Sequence, residues 1–183
     1  MNQLNSHQLR ASKPEEGSRL QKNLKRNPVV IVLDNVLDTY NIGCFFRLAD
    51  AIAAEKIYLC GSVVTPPNLK IHRSSIGTWK WIPWENYLST SDCLKKLKSE
   101  NYQITAVELD KNSLDYRKAT YKKPIALVLG SEANGISPET LKLCDQIVEI
   151  PMHGINKSLN VLVSASIITY DIINKISQKI AKK

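Results

Sequence analysis

The chain alternates between apolar runs and short polar breaks, and the period of the runs changes along its length. Val29-Val30-Ile31-Val32-Leu33 has no polar position, the pattern of a strand covered on both faces. Asp34, Asn35 and Asp38 interrupt it, and Asn41 is placed to cap a helix extending to about Ala54. Lys56 to Cys60 reads as a second strand. Pro66 and Pro67 then open a stretch, carrying His72, Arg73, Ser74, Ser75 and Gly77, that reads as irregular. Trp81, Ile82 and Trp84 resume an apolar segment, and Ser91 to Ser99 reads as a short helix. Gln103 to Leu109 and Pro124 to Leu129 are further strands. Ser137-Pro138-Glu139 combines a capping hydroxyl, a first-turn proline and an acid favoured by the helix dipole. Gln146 to Ile150 is the last strand. A final helix is predicted from Leu159 to Ile180, apolar at Leu162, Ala165, Ile168, Ile172 and Ile176. Strands alternating with helices predict an α/β fold: one domain, a parallel sheet and helices on both faces.

Composition narrows this picture. A chain of 183 residues suits one domain, and 43% apolar against 23% charged residues excludes a wholly disordered polypeptide. The longest apolar stretch, Val161 to Ile173, is broken by Ser164, Ser166, Thr169 and Asp171, too short and too polar for a membrane span. The N-terminal residues carry no apolar signal core, so the expected location is the cytosol. Cys44, Cys60, Cys93 and Cys144 are far apart, which argues against a zinc site or a redox pair and for reduced structural thiols. A net charge of +8 and a pI near 9.3 point to a polyanionic partner such as nucleic acid. Residues 1–27 are basic, with Arg10, Lys13, Arg19, Lys22, Lys25 and Arg26 against Glu15 and Glu16. They read either as a peripheral arm that touches phosphates or as a solvated tail before a domain at 28–183.

Three clusters carry candidate chemistry. The first is Asn41-Ile42-Gly43-Cys44-Phe45-Phe46-Arg47, where an arginine among apolar neighbours suggests a carboxylate or phosphate partner. The second is Gly130-Ser131-Glu132-Ala133-Asn134-Gly135, at the end of a strand. Glycine there lets backbone amides approach a ligand, and Glu132 offers a carboxylate to a cation or to the loop. A plain strand-to-helix turn accounts for the spacing as well. The third runs from Ile150-Pro151-Met152-His153-Gly154 to Ser158-Leu159-Asn160-Val161. Ser158 is placed to cap the final helix, and Asn160 to project from its first turn. The last two clusters sit at the carboxyl ends of what read as adjacent parallel strands, where open α/β sheets hold ligands. No GxGxxG fingerprint and no P-loop lysine motif is present. His72 and His153 stand apart in sequence from any carboxylate or cysteine that would make them a catalytic base or metal ligand.

Taken in order, the clusters resemble the three motifs of the SpoU/TrmH group of SPOUT-class RNA 2′-O-ribose methyltransferases, over about residues 28 to 176. Asn41 with Arg47 matches the first motif. Gly130, Glu132 and Gly135 match the second, and Ile150-Pro151 with Ser158-Leu159-Asn160-Val161 the third. Ser75-Ile76-Gly77-Thr78-Trp79-Lys80-Trp81-Ile82-Pro83 is similar to the family's segment after the second strand. The resemblance implies a C-terminal trefoil knot, an exception to unthreaded connections. It implies S-adenosylmethionine held around Leu129, Gly130, Ile150, Met152, Ser158 and Leu159, with no metal. It also implies a homodimer in which Arg47 lies near the cofactor of the partner subunit. Asn41, Arg47, Glu132, Ser158 and Asn160 become the candidate catalytic set, and Arg47, Arg73 and Lys80 the candidate RNA contacts. Arg47 is expected either as a base or as a fixed charge that stabilises the alkoxide. The substrate is expected to be transfer RNA, with a guanosine in the D-loop, the family's best-known target, as the acceptor. Ribosomal RNA, a non-catalytic RNA-binding module and a small-molecule enzyme of doubly wound type are the alternatives.

Overall fold

A computed structural model describes residues 5–11 and 24–181. Lys13, Glu15, Glu16, Arg19 and Lys22 of the expected arm lie outside the described residues. Before that gap a short helix, α1, spans Ser6–Ala11. Seven strands then form one sheet: β1 (Asn27–Asp34), β2 (Ala54–Cys60), β3 (Trp84–Tyr87), β4 (Gln103–Val107), β5 (Leu114–Asp115), β6 (Ile125–Gly130) and β7 (Gln146–Glu149). Their order is β3-β2-β1-β6-β4-β7-β5, and every pairing is parallel. The helices after α1 are α2 (Thr39–Ala51), α3 (Leu69–Ser75), α4 (Thr90–Ser99), α5 (Pro138–Leu141) and, after the last strand, α6 (Val161–Ala181).

The period of two along the strands divides the core. Val29, Ile31, Leu33, Leu127 and Leu129 point to one face, where they meet Ile42, Phe45 and Phe46 of α2 and Ala165, Ile168, Ile172 and Ile176 of α6. Val30, Val32, Ala126 and Val128 point to the other, against Cys93, Leu94 and Leu97 of α4. Buried on both sides, β1 and β6 need the unbroken apolar runs that their sequences show. Lys175 on α6 donates to the carbonyls of Tyr116, Arg117 and Ala119, fastening the last helix to the segment before β6. No described helix is long and apolar enough to cross a membrane.

Several local expectations change. The cap of α2 is Asp38, whose carboxylate accepts from the Tyr40 amide at 2.8 Å, so Asn41 lies inside the helix and its side chain is available for another task. The helix stops at Ala51, and Ala53 turns the chain with φ 48°. The stretch after the two prolines is not irregular: Asn68 caps α3 by accepting from the amides of Lys70 and Ile71. The strand predicted to Leu109 ends at Val107, and the two-residue strand β5 carried no sequence signal. Ser137 does cap α5, as its hydroxyl accepts from the Thr140 amide. The largest revision concerns β6 and β7, which are not neighbours: β4 lies between them.

The thiols fit their burial. Hydrogen bonding with Cys93 and desolvation push the Cys60 thiol well above its ordinary value, and burial pushes Cys144 up to about 12.

Candidate active site

A cavity of about 460 Å³ opens at the carboxyl edge of the sheet, over the ends of β4, β6 and β7. All six residues assigned to the cofactor by resemblance line it: Leu129, Gly130, Ile150, Met152, Ser158 and Leu159. Glu132 and Asn160 line it as well. The insertion of β4 adds residues that the sequence reading missed, Val107, Glu108 and Leu109, and β7 adds Glu149. A charged residue at the end of the predicted strand was the available signal for Glu108, but only the sheet order shows that it reaches the site.

The wall of this cavity is backbone folded tightly on itself. A Cβ at Gly130 would sit 2.3 Å from the Gly135 carbonyl carbon and 2.5 Å from the Ile136 nitrogen, so no side chain fits. Gly135 takes φ +64°, and its amide returns to the Ser131 carbonyl at 2.8 Å. Glu108 fixes this turn from the side, one carboxylate oxygen accepting from the Ile136 amide at 2.9 Å and the other from the Leu109 amide at 3.0 Å. Glu149 accepts from the Ser113 hydroxyl, which sets the carboxylate at the opposite wall.

Asn41 joins the three sequence clusters. Only 4% exposed, it donates through Nδ2 to Glu132 Oε1 at 2.7 Å, across 91 residues. Its Oδ1 receives a longer contact of 3.4 Å from Asn160 Nδ2, across 119 residues. Since a carboxylate only accepts, the Glu132 contact fixes which way the Asn41 amide faces. Asn160, and not Ser158, caps α6: its Oδ1 accepts from the amides of Leu162 at 2.9 Å and Val163 at 3.4 Å. Ser158 is exposed in the preceding loop, where its amide donates to Asn156 Oδ1. Asn160→Ala is therefore expected to cost about 1 kcal/mol of stability, the usual worth of a helix cap. Asn160→Asp, which keeps the acceptor and loses the donor to Asn41, should retain it. Chemical denaturation of the two variants separates capping from networking.

The structure does not bring the remaining candidates to this cavity. Arg47 is exposed on α2 and forms no hydrogen bond or ion pair among the described residues. Arg73, on the last turn of α3, and Lys80, in the 3-10 turn that follows, lie outside the cavity lining. His72 accepts from the Trp79 indole at 3.1 Å, a packing contact, and His153 is exposed in the loop after β7. Among the described residues no group of three or more His, Cys, Asp or Glu is arranged to hold a metal.

Comparison with known proteins places this arrangement in a family. The model of the SpoU rRNA Methylase family matches residues 28–170. The chain is 33% identical over 162 residues to the tRNA (guanosine(18)-2′-O)-methyltransferase of Aquifex aeolicus, covering 83% of this chain and 76% of that one. Its fold superposes on the A. aeolicus TrmH/SpoU tRNA modifying enzyme with a TM-score of 0.79 at 30% identity, covering 90% of this chain and 84% of the other. An AdoMet-bound rRNA methyltransferase from Sinorhizobium meliloti aligns with a TM-score of 0.75 at 28% identity, over 89% of this chain; the chain spans only 58% of that protein. With the second and third motifs lining one cavity, Asn41 of the first bonded to both, and the family model covering most of its length, the chain belongs to the SpoU rRNA Methylase family.

Proposed function

We propose that this chain is an S-adenosylmethionine-dependent RNA methyltransferase acting on a ribose 2′-hydroxyl, with transfer RNA as its substrate. The observation that carries the reading is the Asn41–Glu132–Asn160 network at the rim of a cavity whose wall is bare backbone. The names of the Aquifex and Sinorhizobium relatives support the substrate class and the cofactor. By the same reading residues 28–183 are the methyltransferase domain, preceded by a basic arm. The C-terminal third is knotted, two copies pair, and the protein works in the cytoplasm.

The lining suits the cofactor. Val107, Leu129 and Leu159 offer apolar surface for a purine, and the backbone is open at Gly130. Glu108 and Glu149 suit a ligand with hydroxyl donors and positive charge. Leu129, Gly130, Ile150, Met152, Ser158 and Leu159 would hold it. When bound, S-adenosylmethionine supplies a methyl group on a sulfonium, already a strong electrophile. The protein's main task is then to align the ribose oxygen, and positioning of this kind contributes about 7–11 kcal/mol to a reaction. Asn41 keeps Glu132 and Asn160 at fixed positions for that alignment. Arg47, permanently charged, stabilises the oxygen as its proton passes to solvent water and grips the adjacent phosphate; because it lies outside its own cavity, it serves the site of a second copy. Arg73 and Lys80 contact the RNA backbone, and the net charge of +8 makes binding salt-sensitive. RNA rather than DNA follows from the acceptor hydroxyl.

Incubating the purified protein with S-adenosylmethionine and unmodified transfer or ribosomal RNA, then digesting to nucleosides for mass spectrometry, tests this. Ribose-methylated nucleosides are expected from transfer RNA. Methylation of ribosomal RNA alone corrects the substrate. Cofactor binding without transfer to either RNA leaves a non-catalytic RNA-binding module.

A further inference from the structure

On the far side of the 131–135 turn lies a second cavity, of about 440 Å³, that shares Ser131 and Gly135 with the first. Asp34 lines it from the end of β1, Leu37 and Ser91 stand on its walls, and Asn134 and Ser137 belong to the loop before α5. Asp34 is only 4% exposed. Its Oδ1 accepts from the Thr90 hydroxyl and from Asn35 Nδ2 at 2.9 Å, while Oδ2 receives no hydrogen bond among the described residues. That oxygen is not among the buried unpartnered atoms; it belongs to a residue that lines the cavity, an acceptor open to a ligand's donors.

The backbone holds this carboxylate rigidly. Asn35 adopts φ 54°, unusual for a residue with a side chain, and its amide donates to the Cys60 carbonyl at 3.0 Å. The Asn35 side chain presses on Gly61, where a Cβ would lie 2.1 Å from Asn35 Oδ1. Asn35, one of the two donors to Asp34, is thus itself fixed.

We propose that this second cavity takes the base of the target nucleotide and selects guanine through the Asp34 carboxylate. The proposal rests on the RNA methyltransferase reading and adds to it the residue that reads the base. Guanine presents adjacent N1–H and N2–H donors, which can converge on the open Oδ2; adenine puts an acceptor at N1, which a carboxylate repels. Leu37 gives the ring an apolar wall, and Ser91, Asn134 and Ser137 serve its remaining polar edge. The turn between the cavities carries Glu132, so a nucleotide with its base on one side of the turn brings its ribose over the Asn41–Glu132–Asn160 network toward the other.

Two measurements test it. In NMR titrations of the protein saturated with S-adenosylhomocysteine, guanosine monophosphate is expected to shift the side-chain amides of Asn35 and Asn134, adenosine monophosphate to leave them in place, and Asp34→Asn to abolish the guanosine response. This readout needs no turnover, so it stands even if the wild type methylates no RNA and the activity reading fails. In transfer assays with transcripts carrying guanosine, inosine or adenosine at the mapped acceptor position, Asp34→Asn is expected to lower kcat/KM for guanosine by about 10- to 100-fold, the usual worth of one well-made base contact. Cofactor affinity should be unchanged. A folded Asp34→Asn that keeps both the guanosine response and wild-type discrimination overturns the proposal. If Asp34→Asn does not fold, Ser91→Trp, which fills the cavity from α4, decides: an undiminished guanosine response and an unchanged KM for RNA overturn it equally.

Discussion

Replacing Arg47 by lysine is expected to cut methyl transfer by at least about a hundredfold, the scale seen when one electrostatic stabiliser of a developing oxyanion is removed. Cofactor affinity should not change. Lysine keeps the charge but not the planar fork, which binds an alkoxide and a neighbouring phosphate together. A titration of S-adenosylmethionine beside single-turnover kinetics checks both halves; turnover near that of the wild type removes Arg47 from the mechanism. The exposed position of Arg47, away from the cavity of its own chain, adds a second expectation. Mixing Arg47→Lys protein with a variant that cannot bind cofactor should restore about a quarter of wild-type activity, since half of randomly formed dimers contain one complete site. No recovery on mixing places Arg47 at its own site instead.

Gly130→Ala supplies that second variant and carries the other large effect. The added methyl group would press on the Gly135 carbonyl carbon and the Ile136 nitrogen, at 2.3 and 2.5 Å, and neither is a flexible side chain that gives way. The 131–136 turn has to move, and Glu108 loses its grip on the Ile136 amide. Cofactor affinity is expected to fall more than about a hundredfold, with a loss of stability near 1–3 kcal/mol, the range for overpacked sites. Calorimetry and thermal melting measure the two separately. A variant that binds cofactor normally shows that the turn is more compliant than its geometry implies.

Much of the sheet was legible because β1 and β6 are buried on both faces and their sequences contain little else but apolar residues. The ligand position at the carboxyl edge followed from the two glycine-marked strand ends. What did not follow was sheet order. Nothing in the sequence of β4 says that it pairs with both β6 and β7, so Glu108 and Leu109 were absent from the expected lining. The capping assignments failed for a related reason. Asp38, Asn41, Ser158 and Asn160 are all good caps by residue type, and only the local backbone decides which accepts from an amide. Asn41 was given a local role because its true partner, Glu132, is 91 residues away.

The placement of β4 between β6 and β7 also governs how the protein is born. During synthesis the strands emerge in chain order, yet the floor of the donor cavity is closed only when β7 pairs outside a strand already joined to β6. The roof waits longer still, because Asn160 must reach back to Asn41 across most of the polypeptide. A ribosome-bound intermediate with only β1, β2 and β3 paired would carry Asp34 but no grip on the methyl donor, so partially made chains are catalytically silent.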